Sequence, residues 1–117
     1  MEHLANYEKV ERPWGSFERF TLNEATTIKI LTLNAGESLS LQTHEHRDEF
    51  GRVVKGSGTV RIGETETDVH EGNTFFVPHT TPHRVIAGET GLTYLEISFG
   101  DFAEDDEVRL EDEYHRA

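Results

Sequence analysis

Residues 36–56 read GESLSLQTHEHRDEFGRVVKG, and this stretch decides the fold. Gln42 and His44 stand two positions apart, so on a β-strand their side chains point to the same face. The polar residues 45–48 form a turn that lets the next strand run back antiparallel. Glu49 opens that returning strand beside the same face. The stretch therefore predicts two paired strands that together carry three polar ligands on one face.

A second stretch, residues 72–83, reads GNTFFVPHTTPH and supplies a fourth ligand. Pro78 and Pro82 fix the backbone ahead of His83, which begins a separate strand. Four side chains from three strands then converge without a metal ion having to order a loop. The predicted ligand set is Gln42, His44, Glu49 and His83.

Two imidazoles, a carboxylate and an amide oxygen form a set of hard or borderline ligands. They suit one divalent metal ion, with Zn²⁺ as our first choice and Mn²⁺, Fe²⁺, Co²⁺ or Ni²⁺ as alternatives. The chain has no cysteine and a single methionine, Met1, so Cu(I) is disfavoured. The alternative interpretation is that these are polar residues on a β-barrel that binds no metal.

Short β-type runs separated by turn signals continue along the whole chain. Their number and spacing predict an all-β sandwich or barrel, and no long run of helical period competes with it. The turn signals between the runs are rich in Gly, Asn, Asp and Pro. The predicted strands are 16–20, 27–33, 38–44, 49–55, 58–62, 66–69, 73–77, 83–87 and 93–99.

The composition of the chain limits the kinds of molecule that it can bind. At 117 residues the chain is the size of one domain, and its formal charge of -12 repels nucleic acid and anionic membrane surfaces. Many of the acids fall at 104–113, which we interpret as a solvated edge. No stretch approaches the roughly 20 apolar residues of a membrane helix, and the N-terminus has no apolar signal core. With no cysteine, these features lead us to expect a cytoplasmic protein.

The two stretches resemble the two cupin motifs, with Gln in the position where many cupins carry a first His. The wider chain resembles the cupin domain of type II phosphomannose isomerases. The resemblance implies a single-domain cupin double-stranded β-helix, a jelly-roll-like barrel at 12–100, with an N-terminal arm at 1–11 and an acidic strap at 101–117. It is carried by Arg12-Pro-Trp-Gly15, Leu39-Ser-Leu-Gln42, His46-Arg47, Pro82-His-Arg84, Glu104-Asp-Asp106, Val108-Arg-Leu-Glu-Asp112 and Tyr114.

The resemblance implies isomerisation of mannose 6-phosphate and fructose 6-phosphate, in which a divalent ion polarises the carbonyl and a base moves a proton. His46 is one candidate base or a solvated turn histidine, and Glu96 is another or a surface carboxylate. By carry-over from the family, Arg47 and Arg84 are phosphate-binding candidates, or else outer ion-pair partners. Arg84 also counts among the catalytic candidates.

Several positions depart from the family pattern near the predicted site. Gly51 stands where the family carries Trp, and by alternation from Glu49 it points into the barrel. We therefore expect a substrate-contacting cavity at Gly51, while Arg52 faces outward. Thr80 replaces a Gly that often takes a positive φ. The competing hypotheses are a remodelled or engineered pocket for another small molecule or reaction, a non-enzymatic sugar-binding module, and harmless drift.

A homodimer is also expected, because small cupins often bury an outer apolar sheet face in one. A row of leucines can form such a face, or it can be the inner packing of the sandwich. These residues are Leu31, Leu33, Leu39 and Leu41.

Overall fold

A computed structural model describes residues 3–100, 103 and 106–111, with only the backbone of Glu111. Every regular element in these ranges is a β-strand, so the predicted all-β class is confirmed. Within the same ranges no helix is long and apolar enough to span a bilayer. The strands are β1 (Glu8–Arg12), β2 (Gly15–Arg19), β3 (Thr26–Leu33), β4 (Leu41–Thr43), β5 (Asp48–Ile62), β6 (Thr65–His70), β7 (Thr74–Val77), β8 (His83–Phe99) and β9 (Val108–Glu111).

Two long antiparallel strands, β5 and β8, pair with each other at the centre of the main sheet. The predicted strands 49–55 and 58–62 merge into β5, and 83–87 and 93–99 merge into β8. Strand β8 also pairs with β3 and β4, while β5 pairs with β6 and β7, and β9 pairs with β4. The main sheet thus has seven strands in the described part of the chain, and each of them except β9 pairs directly with β5 or β8.

Glycines that suggested chain reversals instead bend these long strands. Gly56 and Gly91 have φ of 81° and 82°, a region that side chains with a Cβ rarely adopt. A Cβ on Gly56 would overlap the carbonyl oxygen of Gly91. The β5–β8 register also shifts between Gly56 and Gly58. These positions are therefore bulges, which bend a strand without ending it.

The main core lies between the facing parts of the sheet. It is built from buried aliphatic side chains and Tyr94, which is 1% exposed. Leu33 and Leu41 are buried, and Leu31 and Leu39 pack against this core. The leucine row is therefore inner packing, and the interpretation as a dimer face is wrong. The homodimer itself stays a prediction.

A second core covers the opposite face of β5 and β8. Phe50 and Ile97 point away from the first core and are buried beneath Leu4, Tyr7 and Phe20. The predicted N-terminal arm includes β1, which pairs with β2 in an antiparallel hairpin. The N-terminal segment thus shields apolar side chains that alternate with the inward-facing residues of the central strands.

An ion pair fixes the hairpin to the barrel. Arg52 faces outward, as expected, and donates to both carboxylate oxygens of Glu18 at 3.1 and 2.7 Å. Tyr7 donates to the same carboxylate at 2.6 Å, and the guanidinium lies over the ring of Phe20 at 5.3 Å. The hydrogen bonds from Arg52 and Tyr7 lower the pKa of Glu18 to about 2.

We predict that Glu18→Gln destabilises the fold by on the order of 1 kcal/mol at neutral pH. The lowered pKa means that the Glu18 carboxylate contributes stability above its unfolded value of 4.5 and loses it as pH falls toward about 2. The difference between variant and parent in urea unfolding should therefore shrink across that window. Glu66→Gln, on the exposed strand β6, is the matched control. A gap independent of pH would contradict the assignment.

Candidate metal centre

Two imidazoles and one carboxylate meet at the inner face of β4, β5 and β8. His44 Nε2 and His83 Nε2 lie 3.4 and 3.3 Å from the same atom, Glu49 Oε1. All three side chains are buried, and one potential ligand atom from each lies within 4.8 Å of the others. The spacing of the two motifs thus brings three of the predicted ligands together.

Backbone carbonyls set the tautomer of both histidines. His44 Nδ1 lies 2.7 Å from the carbonyl oxygen of Asp106, and His83 Nδ1 lies 3.0 Å from that of Thr81. A carbonyl can only accept, so each Nδ1 carries the proton and each Nε2 presents a lone pair. Arg47, which can only donate, faces His44 Nε2 at 3.4 Å and agrees with this assignment.

The arrangement fits a cation. Two nitrogen lone pairs that face one carboxylate oxygen repel it unless a proton or a metal ion lies between them. Burial lowers the pKa of His44, which favours its neutral, metal-binding form. Burial alone would raise the pKa of Glu49, but in the metal-free protein a proton on His83 Nε2, the positive charge of a protonated His44 or His83 and the charge of Arg47 hold it at about 2. A metal ion bound between these groups would take the place of that proton.

The second oxygen of Glu49 is held separately. Arg47 Nε donates to Oε2 at 3.1 Å, and Ser98 Oγ donates to it at 3.4 Å. Arg47 is itself fixed by donation to the carbonyl oxygen of Ala103 at 3.0 Å. The carboxylate is therefore oriented by protein groups, and Oε1 is left directed at the two histidines.

Gln42, the fourth predicted ligand, shares this cavity. It lies opposite His83 in the β4–β8 pair, is 9% exposed, and lines the same space. Its amide nitrogen, assigned from the hydrogen-bonding environment, donates to the carboxylate of Glu107. Gln42 thus lines the same cavity as the cluster, and its role as a metal ligand stays a prediction.

The cluster lies in a cavity of about 180 Å³ lined by three acid–base pairs. Arg47 is paired with Glu49, and Arg109 Nε lies 2.9 Å from Glu107 Oε2. Lys29 stands directly opposite Glu96 in the β3–β8 pair. These pairs place cations and carboxylates in equal number around the cavity.

Sequence reasoning missed three members of these pairs. Lys29 alternates along β3 with Ile28 and Ile30, which are exposed. Isoleucines normally mark the inner face of a strand, so the sequence pattern points Lys29 outward. Glu107 and Arg109 sit in the acidic run interpreted as a solvated edge, and nothing local distinguishes them from their neighbours. They reach the cavity because β9 pairs with β4.

The other sequence candidates divide by position. Glu96 and Arg47 line the cavity, whereas His46 and Arg84 are not among its described lining residues. The side chain of His46 is 72% exposed, on the loop between β4 and β5. Arg84 alternates to the other face from His83, and its Nε donates to the carbonyl oxygen of Leu39 at 2.9 Å.

The cavity expected at Gly51 is filled. A Cβ built there would overlap the ring of Phe75, which comes from the adjacent strand β7 and packs on Tyr94 at 5.4 Å. Gly51 is buried and is absent from the described cavity lining, so a substrate contact at Gly51 has no support. The small residue makes room for an aromatic ring from a neighbouring strand.

The loop before His83 contains a strained residue. Thr80 has φ of 65°, a conformation rare for a β-branched side chain, as its replacement of Gly suggested. Its backbone N–H donates to the carbonyl oxygen of His44 at 2.6 Å, which links the two motifs. His79 is exposed and pairs with Asp48 at 2.9 Å, outside the described cavity lining.

The chain is similar in sequence to proteins of known family. A family model described as the C-terminal part of mannose-6-phosphate isomerase matches residues 1–112. The chain belongs to this family. The xanthan biosynthesis protein XanB of Xanthomonas campestris pv. campestris is 36% identical over 112 residues, which cover 94% of this chain and 24% of XanB. The alginate biosynthesis protein AlgA of Pseudomonas putida is 35% identical over 113 residues, covering 95% and 23%.

This member of the mannose-6-phosphate isomerase C-terminal family spans about a quarter of the length of these curated relatives. Solved structures agree on its fold. A variant of the oxalate decarboxylase OxdC of Bacillus subtilis is 26% identical, with a TM-score of 0.69 over 75% of this chain and 25% of that one. KdgF from Halomonas sp. is 21% identical, with a TM-score of 0.65 over 90% and 94%. The cupin jelly-roll fold is thereby confirmed.

We predict that zinc stabilises the parent protein and that Glu49→Gln removes the effect. Zinc at about 100 times its Kd stabilises a binding protein by about 2.7 kcal/mol, which raises the Tm of a domain this size by roughly 10 °C. Glu49→Gln loses the carboxylate that lies between the two histidines, so its Tm should respond little. Differential scanning calorimetry with and without EDTA measures both.

His70→Ala is the matched control, because His70 is exposed on β6, away from the cavity. It should respond to zinc as the parent does. An equal zinc response in the parent and Glu49→Gln proteins would contradict the site.

Proposed function

We propose that this chain catalyses metal-dependent interconversion of an aldose phosphate and a ketose phosphate, namely mannose 6-phosphate and fructose 6-phosphate. The observation that carries the proposal is one shared cavity. It joins the buried His44, Glu49 and His83 cluster to an inward-facing carboxylate, Glu96, and to cationic side chains. The family description supports the choice of substrate.

The charges around the cavity favour a doubly charged anion. The three cations, Lys29, Arg47 and Arg109, balance the carboxylates of Glu49, Glu96 and Glu107. A divalent ion then leaves an excess of two positive charges within a chain whose formal charge is -12. A phosphate monoester compensates that local excess, and the remaining field repels anions elsewhere on the surface.

The metal ligands and the carboxylate of Glu96 have separate roles in the proposed reaction. A divalent ion held by His44, Glu49, His83 and the Gln42 amide oxygen supplies Lewis-acid polarisation of a carbonyl when bound. Glu96 takes the C2 proton of mannose 6-phosphate on a carboxylate oxygen and returns it to C1. The carbonyl double bond moves from C1 to C2, and the hydroxyl proton of O2 passes to O1 through water.

Lys29 and Arg109 bind the phosphate from two different strands, β3 and β9. Arg47 adds charge but stays fixed by Glu49 and the Ala103 carbonyl.

Glu96 suits this role by its environment as well as its position. Burial and the charge of Glu49 raise the pKa of Glu96 to about 7, against the lowering effects of Lys29, Arg47 and His83. A group that titrates near neutral pH accepts and returns a proton with little free-energy cost. By contrast, the hypothesis that a pocket opened at Gly51 serves another small molecule has no structural support, because Phe75 fills that space.

We predict turnover of mannose 6-phosphate by the zinc- or cobalt-loaded protein, abolished by EDTA and restored by the metal. A coupled assay for fructose 6-phosphate measures it. NMR in D₂O provides a more sensitive readout, because proton transfer through an enediol introduces deuterium at C1 of fructose 6-phosphate and at C2 of mannose 6-phosphate. A fully metal-loaded protein that gives neither fructose 6-phosphate nor deuterium exchange would reject the proposed function.

We predict that Glu96→Gln lowers kcat by about 10²- to 10⁴-fold, the usual contribution of a general base, with a small change in zinc affinity. In the parent, kcat should fall as pH drops through an apparent pKa at or below about 7, since the metal's charge favours ionised Glu96. Lys29→Met should move this limb to higher pH, because the Lys29 charge lowers the pKa of Glu96. An acid limb unmoved in Lys29→Met and retained in Glu96→Gln would assign the base elsewhere.

A further inference from the structure

We infer that Glu107 positions the fourth metal ligand: it holds the nitrogen of the Gln42 amide, so that the amide oxygen is the atom presented to the metal. The inference rests on the proposed metal centre and concerns a residue that the sequence motifs do not include. Glu107 lies 65 positions along the chain from Gln42 and reaches it through β9.

The hydrogen-bonding environment decides how the Gln42 amide is turned. With its nitrogen toward Glu107, the amide donates to both carboxylate oxygens, to Oε2 at 3.2 Å. With its oxygen toward Glu107, three acceptor oxygens would face one another without a proton between them. A carboxylate can only accept from an amide, so it selects the first orientation. The amide oxygen therefore lies on the side away from Glu107.

The carboxylate of Glu107 is itself held. Arg109 Nε lies 2.9 Å from Glu107 Oε2, and Arg109 is the register partner of Gln42 in the β4–β9 pair. The register shifts between Leu41 and Gln42, so a bulge occurs at the ligand's own position. Backbone pairing thus places the Glu107–Arg109 pair beside the amide.

An amide needs such a partner more than an imidazole does. In His44 and His83, hydrogen bonds from Nδ1 to backbone carbonyls leave Nε2 as the nitrogen that can bind a metal ion. The two ends of a glutamine amide are nearly the same size, but only the oxygen is a good ligand for a divalent ion. Glu107 therefore does for Gln42 what the carbonyls do for the histidines. Losing a partner of this kind typically costs 10- to 100-fold in metal affinity.

A double-mutant cycle on zinc affinity tests the inference without any assay of turnover. Competition with a chromophoric chelator gives Kd for the parent, Glu107→Ala, Gln42→Ala and the double variant. Glu107→Ala should weaken zinc binding about 10-fold in the parent. In the Gln42→Ala background it should weaken binding by less than about twofold, because no amide remains to be oriented. The apo proteins are compared by urea unfolding to confirm that each one folds.

The cycle separates the inference from its competitors. If Glu107 binds the metal directly, or acts only through its charge, Glu107→Ala will weaken binding equally in both backgrounds, and the inference is overturned. Failure of the parent to bind zinc overturns the metal centre and the inference together. Glu89→Gln, at an exposed position in β8, controls for net charge and should leave Kd unchanged.

Discussion

A buried carboxylate, Glu49, is the constraint around which this fold is arranged. An ionised carboxylate without partners costs several kcal/mol in a protein interior, so every atom of Glu49 must be met by another group. His44, His83, Arg47 and Ser98 meet it, and they come from both ends of β8 and from the β4 side. The strand pairings that build the main sheet therefore also assemble the site.

Alternation along β5 and β8 gives each strand two separate tasks. Glu49 and Glu96 face the cavity, while Phe50 and Ile97 build the second core on the other face. The N-terminal hairpin covers that core. A shift of one residue in either strand would bury the apolar set against the charges, so the hydrophobic pattern fixes the register of the site.

The sequence could predict what depends on local spacing. The two-residue interval from Gln42 to His44 puts both on one face in any strand, which is why the ligand set could be named. It could not show that Phe75 occupies the space at Gly51, because that contact crosses between strands. Glycines also mark turns and bulges alike, so the sequence pattern divides both β5 and β8 into two shorter strands. Lys29 and Arg109 reach the cavity only through pairings between distant segments.

The C-terminal segment shows why a distant pairing has functional weight. The carbonyl of Asp106 accepts from His44, and its carboxylate accepts from the backbone N–H groups of Glu45 and His46 at 3.0 Å each. In the same C-terminal segment, the carboxylate of Glu107 accepts a hydrogen bond from the Gln42 amide nitrogen. Two ligands and the loop between β4 and β5 are thus held by residues about 60 positions further along. Because a metal ion would bind the ordered ligands, metal binding and docking of this segment must stabilise each other, and the linkage is reciprocal.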